Sequence, residues 1–346
     1  MTLDNLTCKE RFINALNSRA VDRPPIWMMR QAGRSLPEYL EIKKGRKFSD
    51  LVKNPTLAAE ITMQPLKRFD YDAAIVFSDI LVVAEMMGVN YKVKDEGGVF
   101  VDFNLNKNHV KNLKVSNINN SNNYTPNTIE IVKEKLNNQK ALIGFAGSPW
   151  TLASYMIEKG SSKENIYSRS IIHQEKKLLN ELLEKITDTT INYLDAQIDA
   201  GVDVIQLFDS QGGTLPSHHY WDISARWMKK IIDALGNRVP FIVFGRGVHH
   251  NWDLLIETGT TGLSLDWNIG INQIASLLPS NISVQGNLDP ALLTIESQFA
   301  VQSTRQILES MRNRNGFIFN LGHGVTPNAR IDTISAVAKT VMEFKY

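Results

Sequence analysis

Short runs of consecutive apolar residues recur along the chain. Each run is rich in β-branched and aromatic side chains and apolar at nearly every position, which is typical of a strand buried on both faces. Eight runs have this character, namely IWMM (26–29), AAIVF (73–77), ALIGF (141–145), VDVIQLF (202–208), FIVF (241–244), GLSLDW (262–267), ISVQG (282–286) and GFIFNL (316–321). The pattern therefore predicts eight buried strands.

Stretches with helical spacing lie between these runs. Apolar residues recur every three or four positions at 55–69, 176–201, 224–236 and 304–316, as on one face of a helix. Strands that alternate with helices indicate a parallel sheet covered on both sides. Eight such units over about 300 residues favour an α/β fold, a closed (β/α)8 TIM barrel in a single domain.

An open, doubly wound sheet is the alternative architecture. Its usual fingerprint is a G-x-G-x-x-G turn after the first strand, and here that turn reads RQAGR (30–34). Residues 104–123 are rich in asparagine and lysine and follow a possible hairpin at 89–103. We interpret them as an exposed insertion without chemistry, within one domain that spans residues 1–346.

Composition and charge limit the classes of partner. The chain has 346 residues, of which 43% are hydrophobic and 21% charged, as is ordinary for a globular protein with a large core. Its 38 basic and 36 acidic residues give a net charge of +2. No global field therefore draws the chain to nucleic acid or to a membrane surface, and any bound anion must be held locally.

The single cysteine indicates a reducing compartment. With Cys8 alone, one chain can build neither a disulfide nor a multi-cysteine metal site. The N-terminal residues include acids and lack the apolar segment of a secretory signal. No later stretch approaches the roughly 18 unbroken apolar residues of a spanning helix. We therefore expect a cytoplasmic protein.

Polar residues follow the predicted strands at the end where TIM-barrel active sites form. In chain order they are Arg30, Gln31 and Arg34, then Ser78 and Asp79, Ser148 and Tyr155, Asp209 and Ser210, Arg246, Asn287 and Asp289, and finally His323. They predict a pocket of fixed cations, hydroxyls, carboxylates and one histidine, without a thiolate or a P-loop. Such a pocket suits a polyanionic organic substrate.

Six stretches in the same order carry a resemblance to a known family. They are PPIWMMRQAGRSLPEY (24–39), FSDILVV (77–83), GSPWTLASYMIE (147–158), QLFDSQGG (206–213), QGNLDP (285–290) and NLGHGVTP (320–327). Together they resemble the uroporphyrinogen decarboxylases. The resemblance implies a (β/α)8 barrel that pairs into a homodimer and converts the four acetates of uroporphyrinogen III to methyl groups, giving coproporphyrinogen III. It implies neither a metal nor an organic cofactor.

The same resemblance assigns roles to individual residues. Asp79 would accept hydrogen bonds from the pyrrole N–H groups and face the cation that forms during the reaction, and Arg30 would lie near the reacting acetate. These two are the candidate catalytic residues. The candidate substrate-binding residues are Arg30, Gln31, Ala32, Gly33, Arg34, Asp79, Tyr155, Ser210 and His323.

Simpler interpretations of these residues stay open. Asp79 could cap the following helix, and the arginines could form surface salt bridges to Glu38 or Glu41. An arginine is a poor proton donor, so the source of the proton is open among water, a substrate carboxyl group and His323. For His323 we favour a hydrogen bond to a propionate over proton transfer.

Other polar residues are assigned no direct role. Arg246 and Asp289 are interpreted as structural. The histidine pairs 218–219 and 249–250 are interpreted as surface residues, because neither pair brings a carboxylate at metal-ligand spacing.

Two other functions are weighed against decarboxylation. Cobamide-dependent methyltransferases of the same superfamily activate a thiol on zinc that is held by cysteines, and a chain whose only cysteine is Cys8 cannot assemble that site. The second is a tetrapyrrole-binding protein that has lost catalysis. The presence of Asp79 argues against this hypothesis but leaves it open.

Overall fold

Helices and strands alternate along the chain in a computed structural model that describes residues 6–94, 98–118 and 123–346. The α-helices are α1 (Cys8–Leu16), α2 (Pro37–Lys43), α3 (Phe48–Val52), α4 (Pro55–Phe69), α5 (Val82–Met86), α6 (Lys107–Asn112), α7 (Tyr124–Leu136), α8 (Pro149–Ile157), α9 (Ile166–Gln174), α10 (Lys176–Asp199), α11 (Ser217–Tyr220), α12 (Arg226–Leu235), α13 (Trp252–Glu257), α14 (Ile271–Leu277), α15 (Ser297–Ser310) and α16 (Ile331–Met342). The strands are β1 (Ala73–Ile75), β2 (Tyr91–Val93), β3 (Val99–Val101), β4 (Ala141–Gly147), β5 (Val204–Asp209), β6 (Phe241–Gly245), β7 (Gly262–Leu265), β8 (Ser283–Leu288) and β9 (Phe317–Leu321).

Seven strands form one parallel sheet in the order β1-β4-β5-β6-β7-β8-β9. Every residue of these strands is buried, as expected when helices cover one face and the interior fills the other. The sheet curls on itself, because the Gln285 amide of β8 reaches Gln206 of β5 at 3.2 Å and Ser264 of β7 at 2.9 Å. The fold is therefore α/β and resembles a TIM barrel.

The first predicted strand, 26–29, forms only an isolated parallel bridge between Ile26 and Phe319. The Trp27 N–H donates to Phe319 O at 3.4 Å, but the next two N–H groups are bound by side-chain amides, that of Met28 by Gln31 Oε1 at 3.1 Å and that of Met29 by Asn320 Oδ1 at 2.9 Å. The prediction of a strand over 26–29 was therefore wrong, since side chains replace the ladder at Met28 and Met29. The segment nevertheless lies between β9 and β1.

Hydrogen bonds join this segment to both neighbours. Phe319 N donates to Pro25 O at 2.9 Å on one side, and Asp72 N donates to Ile26 O at 2.9 Å on the other. Through these hydrogen bonds, the segment occupies the space between the first and last strands of the sheet.

The helix predictions were confirmed where local signals agree with packing. Helix α4 spans the predicted residues 55–69, because the Asn54 side chain caps its first turn, Pro55 begins it, and Asp70 ends it in the left-handed conformation. The predicted helix 304–316 instead spans 297–310. Arg314 lies outside it and donates hydrogen bonds to the carbonyl groups of Ala275, Pro279 and Ile282.

The segments that interrupt the alternation are partly described. Strands β2 and β3 form the expected antiparallel hairpin. Residues 104–118 include α6, and Lys185 Nζ donates at 2.8 Å to the carbonyl groups of Lys111 and Leu113. Residues 1–5, 95–97 and 119–122, on which parts of the leader, hairpin and insertion predictions fall, lie outside the described residues. No described helix combines the length and apolarity needed to span a membrane.

Asp72, just before β1, anchors the first segment at the amino end of the sheet. Its fully buried carboxylate accepts hydrogen bonds from Arg11 at 2.9 Å, from Arg23 at 2.8 and 2.9 Å, and from the Ile26 N–H at 2.8 Å. Removal of one partner from a buried ion pair leaves the others uncompensated and costs about 3–5 kcal/mol.

We expect Asp72→Asn to lower the free energy of unfolding by about 3 kcal/mol or more, because Arg23 loses its counter-charge and Arg11 keeps only that of Asp22. The urea-unfolding midpoint measures this change. Asp70→Asn is the matched control, since the Asp70 side chain is 81% exposed and its ion pair with Lys140 contributes little. Equal midpoints for the two variants would contradict the anchoring role.

Candidate active site

The carboxyl ends of the parallel strands bring the predicted site residues to one rim. Arg30 follows the first segment, Asp79 follows β1, Ser210 follows β5, and His323 follows β9. Arg30 is close enough to Asp79 and to His323 that its positive charge lowers the pKa of both side chains. The structure therefore brings Arg30, Asp79 and His323 together.

Arg30 is fixed by its backbone and by its packing. It adopts the left-handed conformation, with φ of 59°, within a turn closed by the Gln31 N–H and Met28 O at 2.9 Å. The buried Gln31 amide donates to Ala73 O at 3.1 Å, so that side chain serves the turn. A Cβ added to Gly324 would lie 2.3 Å from Arg30 Cδ. Glycine at 324 therefore leaves the space in which Arg30 lies.

The two arginines of the first loop are exposed and make no ion pair with any described residue. The salt bridges considered for Arg30 and Arg34 are wrong, because Glu38 binds Arg68 at 2.8 Å and Glu41 binds Lys44 at 2.7 Å. Ala32 and Gly33 are half-buried in the same loop. Two fixed cations thus face solvent at the carboxyl end of the sheet, where an anionic ligand would neutralise them.

Asp79 accepts a helix-capping hydrogen bond and has a raised pKa. Its Oδ1 accepts a hydrogen bond from Leu81 N at 2.7 Å, so the capping interpretation holds for one oxygen. Burial raises the pKa of Asp79 to about 6, against the lowering effects of the Leu81 N–H and of Arg30, while Glu85 adds to the rise. The carboxylate is ionised at neutral pH in an environment that disfavours its charge. It is therefore prepared to interact with a cation.

His323 is neutral at physiological pH. Burial, Arg30 and Arg246 lower its pKa to about 4, and Asp266 opposes them. Its Nδ1 accepts the Gly324 N–H at 2.7 Å, so the proton of the neutral ring resides on Nε2. The ring packs edge-on against Phe244, with centroids 5.9 Å apart. His323 can therefore donate one well-oriented hydrogen bond.

Tyr155 and Ser210 carry hydroxyl groups and follow the neighbouring strands β4 and β5. Tyr155 lies on α8, Ser210 directly follows β5, and both are half-buried. Neither hydroxyl bonds another described residue. No contact joins them to Arg30, Asp79 or His323, so their place in the site stays a prediction.

Asp209 positions the elements that carry these hydroxyls. Its fully buried carboxylate accepts four hydroxyl hydrogen bonds, from Ser148 at 2.6 Å, Thr151 at 3.3 Å, Tyr220 at 2.8 Å and Ser224 at 3.0 Å. Burial raises the pKa of Asp209, and the four hydroxyls counteract the rise. Because Ser148 is the N-cap of α8, the carboxylate ties the helix of Tyr155 to the strand before Ser210.

Sequence reasoning missed a second pair at the rim. Asp266 directly follows β7 and lies 2.7 Å from His249 Nε2, with Gly247 N at 2.6 Å and Asn268 N at 2.8 Å. Burial acts to raise the pKa of Asp266, but these partners outweigh it and lower the pKa. The surface interpretation of His249 was therefore wrong. The strand-end rule would have found Asp266 if the strand had been ended at Leu265.

The opposite end of the sheet holds the only thiol. Cys8 begins α1, and its Sγ lies 3.9 Å from Lys140 Nζ, just before β4. Burial and Asp72 raise its pKa, which disfavours a thiolate. Cys8 is thus remote from the rim that carries Arg30. Among the described residues, no group of three histidine, cysteine, aspartate or glutamate side chains is arranged to hold a metal ion.

Known proteins share both the sequence and the fold. The family model "Uroporphyrinogen decarboxylase (URO-D)" matches residues 7–344. Uroporphyrinogen decarboxylase of Ruthia magnifica is 38% identical over 96% of this chain and 98% of its own. The protein of the same name from Methylococcus capsulatus is 40% identical over 96% and 97%.

Solved structures with lower identity show the fold alone. A methyltransferase from Methanosarcina mazei has a TM-score of 0.82 at 18% identity and covers 98% of this chain and 99% of its own. A vitamin-B12 independent methionine synthase, described as putative, from Listeria monocytogenes has a TM-score of 0.55 at 12% identity, over 94% and 96%.

Asp79→Asn should stabilise the unliganded protein at neutral pH. The pKa of Asp79 is higher in the folded state than its ordinary value of 3.8, so the wild type loses stability as pH rises from about 4 to about 6 and does not regain it above. We expect the variant to gain about 1–3 kcal/mol at pH 7.5. Thermal unfolding at pH 7.5 and pH 4 measures the difference, which should shrink at the lower pH.

Asp289→Asn is the control, because Asp289 Oδ1 accepts the Ala291 N–H at 2.9 Å and an asparagine oxygen can do the same. Equal melting temperatures of Asp79→Asn and wild type at pH 7.5 would contradict the buried charge.

His323 should titrate near pH 4, far below the ordinary 6.5 for histidine, and should carry its proton on Nε2 in the neutral form. Nitrogen chemical shifts of the imidazole, followed over pH, report both the pKa and the tautomer. The signal missing in His323→Gln assigns the residue. Titration near 6.5, or a proton on Nδ1, would contradict this environment.

Proposed function

The chain belongs to the uroporphyrinogen decarboxylase family, and from this premise we propose that it is a carboxy-lyase that converts uroporphyrinogen III to coproporphyrinogen III with release of four CO2. The family match across nearly the whole chain carries this conclusion. The reaction belongs to porphyrin and haem biosynthesis. The charge distribution at the strand ends agrees with it, because Arg30, which forms no ion pair with any described residue, lowers the pKa of the nearby Asp79 carboxylate.

Arg30 and Arg34 are proposed to bind carboxylates of the substrate. Uroporphyrinogen carries eight carboxylates, and a guanidinium binds each carboxylate through two parallel hydrogen bonds. Both arginines lack an ion pair with any described residue, so no internal contact must break when the substrate binds. Gln31, Ala32 and Gly33 contribute the backbone of the same loop. Tyr155 and Ser210 are proposed to donate hydrogen bonds to further carboxylates.

The chemistry needs a sink for the electrons that remain after CO2 departs. Protonation of the pyrrole carbon next to the acetate makes the ring an iminium-like cation. Cleavage of the bond between the acetate methylene and its carboxyl carbon then delivers the electron pair to that cation. A second proton converts the resulting methylene to a methyl group, and the proton first added to the ring carbon leaves, which restores the pyrrole, so that each CO2 released takes up one proton overall. The substrate itself is the sink, so this mechanism requires no metal or organic cofactor.

Asp79 is proposed to stabilise the cationic ring. One of its oxygens is held by Leu81 N, which fixes the orientation of the carboxylate toward the pyrrole N–H groups. At about 4 Å and an effective dielectric constant of about 20, the attraction between the two charges is on the order of 4 kcal/mol. Since about 1.4 kcal/mol changes a rate tenfold, Asp79 can supply two to three orders of magnitude.

His323 is proposed to bind rather than to transfer a proton. A ring whose pKa is about 4 is neutral at pH 7 and holds no readily released proton, whereas its Nε2–H can bond a substrate carboxylate. Arg30 is proposed to lie beside the reacting acetate. The proton then comes from water or from a carboxyl group of the substrate.

We also propose that one domain, residues 1–346, forms a closed eight-membered barrel, with the segment at 26–29 as the eighth member. The hydrogen bonds of Pro25 and Ile26 to Phe319 and Asp72 support closure. A homodimer in the cytoplasm is proposed with the family assignment. The only partner that the proposal requires is the tetrapyrrole, and it requires neither nucleic acid nor a membrane.

A methyltransferase function is not favoured, although a methyltransferase shares the fold. Thiol activation on zinc needs cysteine ligands at the site, and Cys8, the only cysteine of the chain, lies at the amino end of the sheet. A tetrapyrrole-binding protein without catalysis would bind the same substrate but would not convert it. A measurement of turnover therefore distinguishes the two functions.

We expect the purified protein to convert enzymatically made uroporphyrinogen, without oxygen, into products that lose one to four carboxyl groups in turn. Chromatography of the oxidised products measures each step. Asp79→Asn should lower kcat by about 100-fold or more while the protein stays folded, because the cation loses its counter-charge. Asp289→Asn should keep near-normal turnover.

Binding of uroporphyrinogen without loss of CO2 would favour the inactive binder. Near-normal turnover of Asp79→Asn would refute the role of that carboxylate and leave the decarboxylase assignment intact.

A further inference from the structure

Arg246 is an exposed arginine at the rim whose charge has no partner among the described residues. It directly follows β6, so the parallel sheet places it at the same end as Arg30, Asp79 and His323. Its guanidinium forms no hydrogen bond or ion pair with any described residue. Asp289, the other residue interpreted as structural, does have such a role, because its carboxylate caps the turn Pro290–Thr294. The structural interpretation of Arg246 thus lacks a hydrogen bond or ion pair to support it.

The acidic group beside Arg246 is already occupied. Asp266 binds His249 through Oδ1 at 2.7 Å and the Gly247 N–H through Oδ2 at 2.6 Å, and the Asn268 N–H also donates to Oδ1. These contacts satisfy the carboxylate from three directions. Arg246 therefore stands near a carboxylate without pairing with it, and its charge is left for a ligand.

The backbone of Arg246 is held firmly while its side chain is not. Arg246 N donates to Asp209 O at 3.3 Å, and Arg246 O accepts the Gly213 N–H at 2.9 Å. A Cβ added to Gly213 would lie 2.6 Å from Arg246 O, so the two loops are in close contact. Because the backbone is already rigid, binding of an anion has to order only the side chain, which limits the entropic cost.

The ring of Trp267 locates the Arg246 guanidinium relative to His323. The central carbon of the guanidinium lies 6.0 Å from the Trp267 ring, and that ring lies 6.2 Å from the His323 ring. The positive charge of Arg246 also helps to lower the pKa of His323, as does that of Arg30. His323 is thus near both arginines, and a ligand bound to its Nε2 would extend to either.

We propose that Arg246 binds a side-chain carboxylate of the tetrapyrrole and is a specificity-determining residue of this site. The proposal rests on the proposed function and adds a third cation to those of the first loop. Eight carboxylates on the substrate exceed what Arg30 and Arg34 can neutralise. The carboxylate bound by Arg246 belongs either to an acetate, which the reaction removes, or to a propionate, which it keeps.

Steady-state kinetics of Arg246→Gln test the proposal. A charge-assisted hydrogen-bond pair contributes about 1.5–3 kcal/mol, so KM for uroporphyrinogen should rise about 10- to 100-fold, with a much smaller change in kcat. Arg246→Lys keeps the charge but loses the two-point geometry, and it should restore part of the affinity. Arg305→Gln is the control, because Arg305 is an exposed arginine on α15 that forms no ion pair within the described part of the chain, and its loss should leave KM unchanged.

Partly decarboxylated substrate identifies the group that Arg246 binds. A pentacarboxylate porphyrinogen keeps four propionates and one acetate. If Arg246 binds a propionate, the rise in KM should be equal for the octacarboxylate and the pentacarboxylate. If it binds an acetate that is removed early, the rise should disappear with the pentacarboxylate.

Two further measurements distinguish binding from a structural role. The melting temperature of Arg246→Gln should equal that of the wild type, and the pKa of His323 should increase in this variant because one neighbouring positive charge is removed. An unchanged KM for both substrates in an active enzyme would overturn the role of Arg246 alone. Absence of turnover in the wild type would instead refute the proposed function.

Discussion

The site depends on positive charges that the protein leaves without a counter-ion. The Arg30 guanidinium has neither an ion pair nor a hydrogen bond with any residue that the structure describes, and the space left by Gly324 and the turn around Gln31 fix its position instead. The same charge lowers the pKa of His323 and opposes the rise in the pKa of Asp79. One side chain held by packing therefore adds to what burial does to the pKa of His323 and opposes what burial does to the pKa of Asp79, and a bound polyanion would neutralise its charge.

Four buried or half-buried aspartates show how surroundings divide the roles of one side chain. Asp72 has two arginines and anchors the chain, Asp209 has four hydroxyls and joins two elements, and Asp266 has a histidine and two N–H groups and holds a loop. Asp79 has a single N–H group. Its remaining capacity to interact with a cation is what makes it suitable for chemistry, because the other three are already satisfied.

The sequence predicted the parallel sheet well because buried strands of β-branched and aromatic residues leave a strong signal. It failed at 26–29, where the apolar run resembles a strand but side-chain amides from Gln31 and Asn320 bind the backbone instead. It also misplaced the helix before Arg314, since that residue is fixed by carbonyl groups distant in the chain. Tertiary contacts of this kind are invisible to local periodicity.

The candidate site could be predicted as far as strand ends could be located. Arg30, Asp79 and His323 were found because each follows an apolar run, whereas Asp266 was hidden by a strand boundary drawn two residues late. The partner of His249 could not be foreseen, because the pair depends on two loops that meet only in the folded sheet. Nor could the sequence show that Arg246 lacks an ion pair with the described residues, because this depends on Asp266 being bound to His249 and to the Gly247 N–H.

The seam between the first and last strands has a consequence for biosynthesis. Ile26 pairs with Phe319, and Met29 O accepts the Val325 N–H at 2.8 Å, so the loop of Arg30 is completed by residues almost 300 positions later. A ribosome must therefore release the chain as far as Val325 before this seam can form. Nascent chains lack the assembled pocket until then, and truncation just before β9 would remove one wall of it.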